Sequence, residues 1–219
     1  MISMQMSTAF EPAATKAYRM LEHMIVTLEL APASFVTEGS LIEKLALGRT
    51  PVREAIQRLA WEGLLDVRPR AGIAIAPLHP GDWLRVLDAR RGVEVVLARS
   101  AARFVTRDAA DLFHDAALAM QKAVISGDVL AFIQADKMLD EALARAADNP
   151  FAARLAAPLQ THSRRFWFRY KADTGLAESA EHHVALIRSI VDGDEEAAAK
   201  DAKRLMALLR GHAEAAATR

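Results

Sequence analysis

Arg49, Arg53 and Gln57 recur at four-residue intervals in this chain of 219 residues, a spacing that aligns side chains along one side of an α-helix. Two arginine forks and a carboxamide in one row can donate paired hydrogen bonds to base edges in a DNA major groove. A second basic pair, Arg68 and Arg70, flanks Pro69 just before Gly72 in LDVRPRAGIAI, between two short apolar runs. Its chemistry would be contact with phosphate. A third set is acidic and imidazole: Asp136 and Asp140, four residues apart, and His183 much further along. Carboxylates beside a buried face are expensive unless a cation or several donors meet them. The carboxylates can be satisfied by Arg90 or Arg164, and the imidazole by one backbone partner. Arg90 in turn could grip a ligand carboxylate in bidentate fashion, or pair with Glu94 one turn on.

These residues need elements to hold them. Thr50-Pro51 reads as a helix start, a hydroxyl able to cap free N–H groups followed by a proline that lacks one. From there Val52, Ala55, Ile56, Leu59 and Ala60 form one apolar face, which leaves Arg49, Arg53 and Gln57 on the other side. Gly63 ends the helix where a left-handed residue is wanted. A preceding helix, about 38–46, supplies Leu41, Ile42 and Leu45 to a shared three-helix core, and 65–75 reads as a hairpin with a basic tip. Further on, Asp136 and Asp140 sit beside the stripe Phe132, Ile133, Leu139 and Leu143, His183 lies in line with Ile187 and Ile190, and Arg90 falls among Val86, Leu87, Val93 and Leu97. Charges on such faces are costly unless partnered. The run Arg164-Arg165-Phe166-Trp167-Phe168-Arg169-Tyr170 places aromatics on several sides of a helix and reads as core packing together with a dimer or pocket wall.

Half the residues are hydrophobic, with few aromatics, which favours helix, and the absence of cysteine excludes disulfides and thiolate chemistry. Neither a signal-peptide pattern nor a stretch able to span a bilayer is evident, so a cytoplasmic protein without a membrane partner is expected. The formal charge is zero, but its distribution is uneven. Residues 1–43 carry Lys16 and Arg19 against five glutamates, whereas 44–70 carry Lys44 and five arginines against Glu54, Glu62 and Asp66. Local patches of this kind govern binding to a polyanion more than the total does.

The chain divides into a disordered leader at 1–10, a compact segment at 11–78 and a helical segment at 79–219, with Pro77-Leu78-His79-Pro80-Gly81 breaking the pattern between the last two. Helices are expected at 11–28, 82–105, 108–126, 128–147, 150–170, 178–191 and 194–217, packed as an antiparallel bundle beyond residue 81. No nucleophile–base pair, phosphate loop or HExxH-type motif is present.

The ordered set Ala17-Tyr18, Val36-x-Glu38-x-x-Leu41, Arg49-Thr50-Pro51-Val52-Arg53-Glu54-Ala55, Arg58-Leu59, Glu62-Gly63-Leu64, Pro69 and Gly72 resembles the winged helix-turn-helix of the GntR family of bacterial transcription regulators. The family usually has Ser where this chain has Gly48, and Pro-Gly where it has Pro32-Ala33. The second half resembles the all-helical FCD effector domain of the FadR-type branch, through Arg90-x-x-x-Glu94, Asp136-x-x-x-Asp140, Asp148-Asn149-Pro150, and His183 before Gly193-Asp194.

The resemblance implies a mainly α protein with two domains, a homodimer on palindromic operator DNA. Arg49, Thr50, Arg53, Gln57, Arg68, Arg70 and Gly72 would meet DNA, and an organic-acid effector would bind near Arg90, Asp136, Asp140 and His183 in the second domain. Many relatives of that domain hold a divalent metal at four positions. In this sequence those positions are Asp136, Asp140, His183 and Leu205, so one His has become Asp and one has become apolar; His212, two turns beyond Leu205 on the same helix face, could compensate if the last helix is shifted. A degenerate metal site and a metal-free pocket both stay open. Two other readings also stand beside a ligand-controlled repressor: a metal-dependent enzyme tethered by a DNA-binding domain, and a regulator whose effector pocket no longer works.

Overall fold

The computed structural model describes residues 11–171 and 175–218; the leader expected at 1–10 lies outside them. The chain divides between Pro77 and Leu78 into two compact units.

The first unit holds α1 (Ala13–Val26), β1 (Phe35–Val36), α2 (Glu38–Leu45), α3 (Arg49–Trp61), β2 (Leu65–Arg68) and β3 (Gly72–Ile75). Leu21 and Ile25 of α1, Leu41 and Leu45 of α2, and Val52, Ala55, Ile56 and Leu59 of α3 close one core with Leu64, Ile73 and Ile75. At about 1.5–3 kcal/mol for each large apolar side chain removed from water, this cluster holds the unit together. The strand β1 is an addition to the expected hairpin. Phe35 and Val36 pair with Ala74 and Ile73, which makes a three-stranded antiparallel sheet in the order β1-β3-β2. Two residues carry too little alternation to announce a strand.

Helix α3 starts earlier than Thr50. Gly48, in an extended conformation, is its N-cap without a side-chain bond, and Arg49 is its first residue. Pro51 therefore sits in the first turn, where its missing donor costs no intrahelical bond. At the other end Gly63 has φ 78°, and the Gly63 N–H→Ala60 O and Leu64 N–H→Leu59 O bonds form a Schellman closure.

The second unit is a bundle of α4 (Pro80–Phe104), α5 (Arg107–Ser126), α6 (Val129–Ala146), α7 (Pro150–Tyr170), α8 (Gly175–Val191) and α9 (Glu195–Ala217). α4 packs against α6, α7, α8 and α9. Pro80 and Gly81, expected to break the chain, instead form the first turn of α4, with Pro80 at a position that needs no donor. Thr106, Asp128, Asn149 and Asp194 each accept a backbone N–H at the start of α5, α6, α7 and α9. Among the described residues no helix is long and apolar enough to cross a membrane.

Candidate functional site

Packing of α3 through Val52, Ala55, Ile56 and Leu59 turns Arg49, Thr50, Arg53 and Gln57 to solvent, on one exposed face. Arg53 is held from the side: its Nε donates to both carboxylate oxygens of Glu38 at 2.8 and 2.9 Å. That pairing uses Nε and leaves the two terminal nitrogens of the fork for other partners. Thr50 contributes a hydroxyl on the exposed first turn and does not cap the helix.

Three residues of the same sequence pattern act together elsewhere. Arg58 lies over the Tyr18 ring, 3.7 Å from its centroid, and donates to Glu62 at 3.0 Å, while Tyr18 Oη donates to Glu62 at 2.7 Å. This knot ties α1 to the end of α3. Burial, with Glu22 and Glu62 nearby, drives the Tyr18 phenol far above its ordinary range.

In the wing Arg68 donates to Asp66 at 2.8 Å and stands over Phe35. Arg70 is exposed at the turn with φ 64°. Gly72 has φ 104°, and a Cβ there would come within 2.8 Å of the Val36 carbonyl oxygen. It is fixed as glycine by the close passage of β1, whatever else it touches.

In the bundle, Arg90, Glu94, Asp136, Asp140, Arg164 and His183 form one buried network. Arg90 Nε donates to Glu94 at 2.6 Å and its Nη2 lies 3.7 Å from Asp140. Gln160 donates to the same Glu94 oxygen at 2.9 Å. From α7 Arg164 reaches between the two aspartates, with Nε to Asp136 at 2.8 Å and Nη2 to Asp140. His183 Nε2 is 3.0 Å from Asp136 Oδ1, and Nδ1 is 2.6 Å from the Ser179 carbonyl oxygen. Since both ring nitrogens face acceptors, both must carry protons, and His183 is an imidazolium. Burial works against that charge, but the hydrogen bond and charge of Asp136 outweigh it and raise the His183 pKa. Three positive groups then face three carboxylates.

The carboxylates divide the cost of burial unequally. Burial alone would raise both, but Arg164 and His183 hold Asp136 well below the usual range. Asp140 is pushed up to about 7 by burial and by the charge of Asp136, over the pull of Arg164 and Arg90.

A divalent ion does not fit this arrangement. Arg164 occupies the space between the aspartates, and an imidazolium has no lone pair to offer. Among the described residues no group of three or more His, Cys, Asp or Glu is placed to hold a metal. The last helix does not supply the lost ligand. Its residue at the cavity is Leu209, one turn beyond Leu205, and His212 faces Glu178 at 3.8 Å.

The cavity beside the network measures about 20 Å³ and is lined by Arg90, Phe132, Asp136, Arg164, Trp167 and His183 among others. Phe132 stacks on Trp167 and meets His183 edge-on. The sequence brought forward Arg90, both aspartates and His183, and read the run that carries Trp167 as core packing and a dimer or pocket wall; it placed Phe132 only in the apolar stripe of its helix, and no spacing links Gln160 or Ser163 to them.

Residues 13–75 match the model of bacterial regulatory proteins of the gntR family, and residues 85–216 that of the FCD domain. The chain is 28% identical over 163 residues to a probable D-xylose utilization operon transcriptional repressor of Paenarthrobacter nicotinovorans, covering 74% of this chain and 72% of that protein. It is 41% identical over 73 residues to an HTH-type regulator in an unstable DNA locus of Streptomyces ambofaciens, a match spanning 33% of this chain but only 30% of that protein's length. The solved E. coli McbR/YncC shares the fold with a TM-score of 0.77 at 19% identity, over 90% of this chain and 95% of that one. These relatives are regulators and not enzymes, and this chain belongs to the GntR family of DNA-binding transcription regulators, with an FCD domain behind its winged helix-turn-helix.

Proposed function

We propose that the chain is a cytoplasmic, homodimeric repressor that places one α3 in the major groove of each half of a palindromic operator. Arg49, Thr50, Arg53 and Gln57 would meet bases and phosphates there, while Arg68, Arg70 and Gly72 carry the wing along the backbone. The observation that carries this reading is the exposed row Arg49-Arg53-Gln57 on a helix whose opposite face is core. The repressor names of relatives support the sign of regulation. Dimerisation is supported by the large apolar side chains left in solvent on α4 and α7: Val96 and Phe104 are 48% and 45% exposed, Phe151 and Leu155 75% and 65%.

An organic-acid effector would bind at the bundle network. As folded, that cavity has room for a water or two, so the effector carboxylate would enter by taking Arg90 or Arg164 from their present carboxylate partners. Gel-shift titration on a selected operator tests the DNA half. Arg49→Ala and Arg53→Ala should each weaken operator binding by about 1–3 kcal/mol without lowering the melting temperature. Wild-type affinity in both variants would overturn the docking, and a monomer by light scattering, with and without operator, would overturn the assembly.

A further inference from the structure

Helices α5 and α8 pack against each other and leave an open groove of about 510 Å³ between them. Its α8 side is made of small residues, Ala177, Ala180, Val184 and Ala185, which let another element approach closely. Ile125 stands at the α5 edge with 87% of its surface in solvent. A knob and a hole therefore lie side by side. The charged residues of the lining are Glu181 and Arg188, both exposed, and neither has an ion-pair partner among the described residues. They are two turns apart, about 10 Å along the helix axis, and share a face with Val184.

This pattern is its own complement. When a second α8 lies antiparallel across the first, with the two-fold between Val184 and Ala185, Glu181 meets the partner subunit's Arg188. By the same symmetry Arg188 meets the partner subunit's Glu181, and each Ile125 is set over the other copy's groove. A partner carrying one sign of charge would be repelled at one end of the groove, whereas a second copy is matched at both. We propose that the α5–α8 groove is the two-fold interface of the helical unit, closed by a second copy of this chain through reciprocal Glu181–Arg188 pairs and Ile125. The proposal rests on the homodimer reading above and adds where the partner sits. It also gives α8 two tasks, since His183 lies in the buried network while the next residues, Val184 and Ala185, turn to the groove. A ligand that displaces His183 then acts on the helix that the partner touches.

The experiment is sedimentation velocity of the full chain over a concentration series, with circular dichroism to follow helix content. Glu181→Arg and Arg188→Glu each oppose like charges at both ends of the two-fold, so each should weaken the dimer by about tenfold or more. The double variant restores the match in reversed order and should recover the wild-type dimer. Ile125→Asp, at a position outside the core, should weaken the dimer without loss of helix. A wild-type chain that is monomeric at every concentration would remove the homodimer reading, and this interface with it. A wild-type dimer that survives both single charge variants and Ile125→Asp would overturn this interface alone. So would single variants that dissociate with no recovery in the double variant. A dimer lost in Phe151→Asp but kept in Ile125→Asp would likewise overturn it, by placing the two-fold on α7.

Discussion

Glu38, the first residue of α2, grips Arg53 of α3 through Nε alone, with both of its oxygens at 2.8–2.9 Å. An exposed pair of this kind adds little to stability. Its effect is to tether the exposed guanidinium at Nε, which leaves both terminal nitrogens available as donors.

Opposite signs separate orientation from simple charge. If Glu38 acts only as a negative charge near DNA, Glu38→Gln should tighten binding to every sequence. If it aims Arg53, the same change should weaken operator binding while leaving random DNA equal or tighter, with about 1 kcal/mol of discrimination lost. The second outcome is expected. Parallel titrations on operator and scrambled duplex read it directly, and equal tightening on both would refute the orienting role.

The wing arginines should behave differently from those of α3. Arg68→Ala/Arg70→Ala is expected to weaken operator and scrambled DNA alike, and to reduce the slope of log K against log salt by about 0.9 for each phosphate no longer neutralised. An unchanged slope would remove the wing from the phosphate backbone.

Pro32 and Ala33 are the centre of a turn closed by Ser34 N–H→Ala31 O at 3.2 Å. Ala33 has φ 61°, so a proline is followed by a left-handed residue, the requirement of a type II turn. Glycine satisfies it without a Cβ penalty. Ala33→Gly is accordingly expected to stabilise the winged unit by about 1 kcal/mol, measured as a rise in the denaturation midpoint at constant slope. A lowered midpoint would mean that the strain is relieved elsewhere.

That turn also shows where the sequence stopped being informative. Pro32-Ala33 stood out as a departure from the usual Pro-Gly, but nothing in the order of residues states that the position is left-handed. Periodicity located every helix that carries a site residue, because α3, α4, α6 and α8 each bury one clear face. It missed β1, whose two residues matter only through their pairing with β3. It also recognised Arg164 as one available partner for the aspartates without revealing that a single guanidinium spans both. That fact depends on the rotation of α7 against α6, which no spacing within one helix encodes. The shift of the cavity wall from Leu205 to Leu209 has the same origin, a one-turn offset of α9.

Proton uptake gives the last prediction. Asp140, raised from 3.8 to about 7, and His183, raised above 6.5, both bind protons more tightly in the folded bundle than in the unfolded chain. The stability they contribute is complete below their unfolded pKa values and is lost as pH rises through the folded ones. Asp136 is lowered and works oppositely: its contribution is present above its unfolded pKa of 3.8 and is lost only as pH falls toward its depressed folded value. Melting of the helical unit should therefore be highest at about pH 4, where the Asp136 contribution is gained and the Asp140 contribution begins to be lost, and decline as pH rises, with Asp140 responsible for the part up to about 7. Asp140→Asn, a neutral side chain that can still accept from Arg164, should flatten the curve between about pH 4 and 7 and leave the decline that belongs to His183. A variant whose melting curve keeps the full wild-type decline would show that Asp140 stays ionised throughout, and that Arg164 and Arg90 outweigh the cost of its burial.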